Sequence, residues 1–278
     1  MTESNPNQNI AAIQLNSGEN LRDNLKAAFK LIEQARQTGA SCAVLPENFA
    51  WMGRDSDAAT FTEQFHHGEA QQFLQQTAKE LEIWLIGGSH RIQSGSETEG
   101  NAYNTSLVYN PQGEQIARYD KIHLFDADVN DDQAYRESDH IKAGQHTTLF
   151  NTDFARIGLT ICYDLRFPAL FQSLRQQGAD VIVVPSAFTA TTGKAHWKAL
   201  LRARAIENQV YIIAPAQCGT HPYGRKTWGH SLCIDPWGEV IDELGNEPGT
   251  IMCSIDQQKI TDIRQKMPVF DHQKSAHY

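Results

Sequence analysis

The chain repeats itself at half its length, and this constrains its fold more than any other feature of the sequence. Gly39-Ala40 through Val44, Pro46 and Phe49 are matched by Gly178-Ala179 through Val183, Pro185 and Phe188. Ser106-Leu107-Val108-Tyr109-Asn110-Pro111-Gln112-Gly113-Glu114 is matched, further on and in the same order, by Ser231-Leu232-Cys233-Ile234-Asp235-Pro236-Trp237-Gly238-Glu239. Solenoids repeat every 20–50 residues or so, and this period is far longer. The reading is therefore two related halves, each contributing a sheet, packed on one another.

Each half supplies the same parts. Leu21, Leu25, Ala28, Ile32 and Ala35 recur on one helix face, and Gly39 follows where a left-handed residue would stop the helix. Similar patterns cover residues 68–81, 169–177 and 194–208, while 83–86, 181–184 and 211–213 are continuous apolar runs of the kind buried strands show. Asn110-Pro111-Gln112-Gly113 and Asp235-Pro236-Trp237-Gly238 are turn sequences that place a hairpin in each half. Helices outside and two sheets inside make an α/β fold, a four-layer α-β-β-α sandwich with an internal two-fold pseudo-repeat. A chain of 278 residues can hold one or two domains. No Pro-, Gly- or Ser-rich linker divides the halves, so a single domain over 1–278 is expected, its core spanning about 10–267. Stretches 93–101 and 127–145 read as loops, and the second, acidic and poor in apolar period, is expected to border a site.

Composition narrows the partners. A formal charge of −9 opposes binding to nucleic acid or an anionic membrane, both of which need a basic face. The five cysteines (Cys42, Cys162, Cys218, Cys233, Cys253) are odd in number and form no C-x-x-C pair, which indicates neither a disulfide framework nor a zinc finger. The first nine residues carry no basic or apolar targeting pattern, and no apolar run approaches a membrane-spanning length. The expected location is the cytoplasm.

Four segments carry chemistry. Cys162 closes the apolar run 156–161 and is followed at once by Tyr163-Asp164-Leu165-Arg166-Phe167-Pro168. A thiol at a strand-to-turn junction is placed to attack, and the next backbone N–H groups, at the start of a helix from Pro168, can face an oxyanion. The plain alternative is a buried cysteine used as a small hydrophobe. Leu45-Pro46-Glu47 ends a strand in a carboxylate, Lys121-Ile122-His123-Leu124-Phe125 opens with a lysine, and Tyr135-Arg136-Glu137-Ser138 holds a second carboxylate. Taken singly, each reads as a solvated edge charge. His123 also leaves open a Cys–His dyad, since residues two apart on a strand share a face with Lys121.

Together these blocks resemble the Glu, Lys and Cys motifs of the nitrilase superfamily of carbon–nitrogen hydrolases, from about Ile10 to Met267. The resemblance implies the same four-layer fold and amide hydrolysis without metal or organic cofactor. It makes Cys162 the nucleophile, Glu47 the general base, Lys121 with the Tyr163 backbone N–H the oxyanion site, and Glu137 a second carboxylate positioning Lys121 or the leaving amine. It also implies a small-molecule substrate and a homodimer or higher homo-oligomer. Residues 185–197 are similar to the Nit branch, and Thr192-Gly193-Lys194-Ala195-His196-Trp197 to its amidases of deaminated glutathione, whose products are 2-oxoglutarate and cysteinylglycine, a metabolite-repair reaction. The alternatives are an ω-amidase acting on 2-oxoglutaramate, a carbamoylase or another carbon–nitrogen hydrolase, and a catalytically silent interaction module. Candidate substrate contacts are Arg166, Phe188, Thr189 and Arg225. Arg166 either clamps a carboxylate or pairs structurally with Asp164 or Glu207.

Overall fold

The computed structural model describes residues 8–93, 102–129 and 134–274. The first half runs β1 (Asn9–Gln14), α1 (Leu21–Gln37), β2 (Cys42–Val44), α2 (Glu69–Glu80), β3 (Trp84–Ile86), β4 (His90–Gln93), β5 (Ala102–Tyr109) and β6 (Gln115–Asp120), then a ribbon of β7 (Asp126–Asp128) and β8 (Ala134–Arg136). The second runs β9 (Leu149–Asn151), β10 (Arg156–Leu159), α3 (Pro168–Gln176), β11 (Val181–Val183), α4 (Ala190–Asn208) and β12 (Tyr211–Ala214). A ribbon of β13 (Cys218–Thr220) and β14 (Lys226–Trp228) follows, then β15 (Leu232–Ile234), β16 (Val240–Glu243), β17 (Gly249–Ser254), α5 (Gln257–Lys266) and α6 (Val269–His272).

The duplication survives in the topology. Strands β1, β2 and β3 are parallel, and β5 and β6 continue the sheet antiparallel. Strands β10, β11 and β12 are parallel, and β15 and β16 continue antiparallel. The hairpin turns agree atom for atom: Gly113 N–H donates to Asn110 O and Gly238 N–H to Asp235 O, both at 2.9 Å. Asn110 Oδ1 accepts from Gln112 and Glu114, as Asp235 Oδ1 does from Trp237 and Glu239. The glycines sit at φ 78° and 89°, which only a residue without Cβ adopts freely. Strand β17 then crosses back to pair antiparallel with β1, from Asn9↔Ser254 to Gln14↔Gly249, so the second half completes the first half's sheet.

Period-two alternation sorts the side chains into layers. Ile10, Ala12, Cys42, Val44, Ile86 and Val108 meet Ile157, Leu159, Val181, Val183 and Ile213 in one core between the sheets. Their neighbours Ala11, Ile13, Ala43, Leu45 and Leu85 turn instead to α1 and α2, against Ala28, Ile32, Leu74 and Ala78. Phe171 and Leu174 of α3 with Trp197 and Leu201 of α4 cover the second sheet, giving the expected α-β-β-α order. Each fully buried leucine or isoleucine contributes about 1.5–3 kcal/mol to that packing.

Four local expectations need revision. Helix α4 starts at Ala190, not at 194, because Thr189 caps it by accepting the Thr192 N–H; Thr191, Thr192 and Gly193, weak helix formers, hide this first turn in the sequence. Helix α5 escaped the sequence reading because only Ile260 and Ile263 on it are buried. Stretch 127–145 is not wholly loop, since β7 and β8 end against a 3-10 turn over Glu137–Asp139. Of the other expected loop, 93–101, Gln93 instead ends β4, where it pairs with Ala102, and 94–101 lie outside the described residues.

The β13–β14 ribbon is latched by His221, whose Nδ1 lies 2.8 Å from Ser17 O and whose Nε2 lies 2.6 Å from Thr227 Oγ1. Donation to a carbonyl fixes the neutral tautomer with its proton on Nδ1. Burial is the main cause that pulls its pKa down from the usual range to about 4. A histidine depressed in the folded state holds its full contribution above its unfolded value of about 6.5 and loses it as pH falls towards about 4. Urea unfolding at pH 7 and pH 4.5 is therefore expected to show an acid loss of up to about 3 kcal/mol that His221→Gln does not share.

Candidate active site

The carboxyl ends of the parallel strands open into a cavity lined by Glu47, Lys121, Glu137, Cys162 and Tyr163 and by all four candidate substrate contacts, Arg166, Phe188, Thr189 and Arg225, but not by His123. Glu47 follows β2, Cys162 follows β10, Phe188 and Thr189 follow β11, and Lys121 follows β6. Glu47 and Phe188 thus come from matching strand ends of the two halves.

Cys162 is buried, at φ 47°, with its N–H donated to Pro185 O at 2.8 Å. A non-glycine residue in that region costs on the order of 1–3 kcal/mol, so the turn must be held from outside. Asp164, at 0% exposure, does so: it accepts from Ile161 N–H (2.9 Å), Tyr119 O–H (2.7 Å) and His123 N–H (3.0 Å), and meets His123 Nδ1 at 2.7 Å. Two expectations are corrected here. The N–H groups following the thiol belong to a 3-10 turn over Cys162–Arg166 and not to the helix itself, which does begin at Pro168 as expected. His123 forms no dyad with Cys162; β6 ends at Asp120, strand alternation no longer applies, and the imidazole stacks on Phe167 at 3.6 Å between ring centres while bound to Asp164.

Lys121 is 1% exposed. Its Nζ donates to Glu47 Oε1 at 2.9 Å and to Glu137 Oε1 and Oε2 at 3.1 and 2.9 Å. Asn104 Nδ2 spans the same two carboxylates, at 3.0 Å from Glu47 and 3.1 Å from Glu137. Ala187 N–H fixes Glu47 Oε2 at 2.9 Å, and Phe125 N–H fixes Glu137 Oε2 at 2.7 Å. Behind them, Gln217 Nε2 holds the Glu47 carbonyl at 3.1 Å. Gly88, at φ 53°, allows the chain to pass Pro46, whose carbonyl oxygen would lie 2.0 Å from any Cβ there.

Electrostatics fix the resting protonation. Burial works against the Lys121 ammonium, but Glu137 and then Glu47 outweigh it and hold its pKa well above the ordinary range. Burial pushes Glu137 up, yet the Lys121 charge and the Phe125 and Asn104 hydrogen bonds leave it below the usual carboxylate value. Burial, then the Glu47 charge, pushes the Cys162 thiol well up, with Lys121 opposing. The sulfur therefore rests protonated, next to the Glu47 side chain.

At the rim, Arg166 pairs with neither Asp164, which the contacts above occupy, nor Glu207, which bonds Arg204 at 2.9 Å. Its guanidinium instead lies 5.4 Å from the Phe188 ring centre and 5.7 Å from that of Tyr163, with Nη1 3.3 Å from His196 Nδ1. Thr189 lines the cavity, but its hydroxyl is engaged with Thr192 Oγ1 at 2.9 Å. Sequence reasoning missed Asn104, Asp164 and Gln217. Asn104-Thr105-Ser106, a polar run in the middle of buried β5, was the available signal for the first.

Comparison with known proteins places nearly the whole chain in one family. The carbon-nitrogen hydrolase family model matches residues 9–265. The deaminated glutathione amidase of Synechocystis sp. is 43% identical over 271 residues, 94% of this chain and 96% of that protein. The human omega-amidase NIT2 is 40% identical over 271 residues, 97% of this chain and 96% of that protein. The crystal structure of the C. elegans NitFhit protein superposes with a TM-score of 0.88 at 35% identity, covering 96% of this chain and 65% of that longer one.

Proposed function

This chain belongs to the carbon–nitrogen hydrolase family and is an amidase; from that premise we propose that it cleaves the amide of deaminated glutathione through a thioester on Cys162. The observation that carries the proposal is the convergence of a buried thiol, a carboxylate and an ammonium on one cavity, with Lys121 Nζ 2.9 Å from Glu47.

In the proposed cycle Glu47 takes the Cys162 proton as Sγ attacks the amide carbon. Lys121 and the Tyr163 N–H neutralise the oxyanion, which a preorganised charge inside a dry cavity does without reorganising. The C–N bond breaks as Glu47 returns its proton to the amine. Water then attacks the thioester, Glu47 takes its proton, the C–S bond breaks, and the thiol is restored with release of the acid. Glu137 and Asn104 keep Lys121 and Glu47 in register throughout.

Four arginines, Arg91, Arg136, Arg166 and Arg225, line the cavity of a chain whose formal charge is −9, which supports an anionic substrate. Among the described residues no carboxylate binds the Arg166 guanidinium, which suits it to the 2-oxo acid end. We expect kcat/KM for deaminated glutathione to exceed that for 2-oxoglutaramate by about tenfold or more, since the dipeptide adds binding energy. Intact glutathione should be poor, its ammonium facing Arg166. Steady-state kinetics on the three compounds check this; a preference for 2-oxoglutaramate would replace the substrate and leave the amidase class standing.

We also assign the enzyme to a reducing, cytoplasmic compartment, which five unpaired cysteines support, and read it as a single domain because one core runs through both sheets. Exposed Ile206, Trp237 and Ile241 support a homodimer. Among the described residues no helix is long and apolar enough to cross a membrane.

A further inference from the structure

A second groove leaves the catalytic cavity where Asn48, Arg91 and Arg225 line both. Cys162 and Arg166 line the cavity alone. The groove is walled by Met52 and by Trp51 stacked on Phe61, their ring centres 4.7 Å apart. Two of its buried donors, Arg225 Nε and Trp51 Nε1, find no hydrogen-bond acceptor among the described residues. Arg225 is fixed on a tight turn, its carbonyl taking the His221 N–H at 2.8 Å and its guanidinium 5.7 Å from the Tyr135 ring centre.

Buried donors without acceptors cost free energy unless something else satisfies them, and a carboxylate is the acceptor that a guanidinium fork fits best. The amide proposed above carries a carboxylate at each end. With its acyl carbon at Cys162 and its oxo-acid end at Arg166, the amine side can extend into the groove that Asn48, Arg91 and Arg225 share with the cavity. We infer that this groove is the subsite for the leaving amine and that Arg225 binds the terminal carboxylate of a dipeptide amine. The inference rests on the amidase reading and adds to it a second anion clamp, which an amide releasing only ammonia would not engage. Specificity is then set by the leaving group as well as by the acyl group.

The test is kcat/KM of the unaltered protein and of Arg225→Gln on deaminated glutathione, on its C-terminal carboxamide, and on 2-oxoglutaramate. Ratios within one protein cancel any difference in the folded fraction. Arg225→Gln is expected to lose roughly ten- to a hundredfold on deaminated glutathione. Its loss on the other two should be at least about fivefold smaller, and the unaltered protein should itself discriminate against the carboxamide. A uniform loss on all three compounds, or none on any, overturns the Arg225 assignment while the substrate preference of the unaltered protein stands. A preference of the unaltered protein for 2-oxoglutaramate overturns both, and the two failures are thereby told apart.

Discussion

Cys162→Ala is expected to lower amide hydrolysis by at least about 10^4-fold while the protein stays folded, because a unit that shares one proton fails when any member is removed. The substitution deletes one buried sulfur and leaves the backbone at φ 47°, a conformation alanine tolerates no worse. The Asp164 contacts that hold the turn do not involve the thiol. Stopped assays beside a thermal melt check it: activity gone with the melt nearly unmoved is the expected pair. Alanine at Cys42, Cys218, Cys233 or Cys253 should keep turnover, since these cysteines sit in strands or on their ends and line no part of the cavity. Burial in addition pushes the Cys218 thiol up to about 12, away from reactivity.

The second large effect is expected at Lys121. Lys121→Arg preserves the charge, yet a planar guanidinium cannot occupy the point that Nζ holds within 2.9–3.1 Å of three carboxylate oxygens at 1% exposure. Loss of an oxyanion donor costs about 3–4 kcal/mol, so kcat should fall by about 10^2–10^3-fold or more. Lys121→Met should do more damage to the fold: it leaves Glu47 and Glu137 sharing only Asn104 in a buried site, a loss of about 3–5 kcal/mol unless one carboxylate takes a proton. Steady-state kinetics with urea unfolding separates the two variants. Retention of most of kcat by Lys121→Arg would make the lysine a structural charge.

Much of this was legible in the chain because it is written twice. Matching turn tetrads and strand ends gave the two sheets, and apolar period gave the layers. The site residues lay in short blocks that read singly as edge charges and became a site through their joint resemblance to the Glu, Lys and Cys motifs of the nitrilase superfamily. Asn104, Asp164 and Gln217 were not legible, because an amide or carboxylate reads as surface until its partners, 57 residues away for Asn104 and Glu47, are known. His123 misled for a related reason, as its face depends on where β6 stops. The start of α4 was hidden by weak helix formers that a single threonine cap, Thr189, stabilises from outside the pattern.

The central claim is a covalent acyl group on Cys162. Rapid-quench mixing with a slowly turned-over 2-oxoglutaryl amide, followed by intact-protein and peptide mass spectrometry, tests it directly. The account predicts an adduct with the mass of the acyl fragment that forms within one turnover, maps to the peptide holding Cys162, and is absent from Cys162→Ala. An acyl group on another residue, or full single-turnover hydrolysis with no adduct at any time, would contradict it.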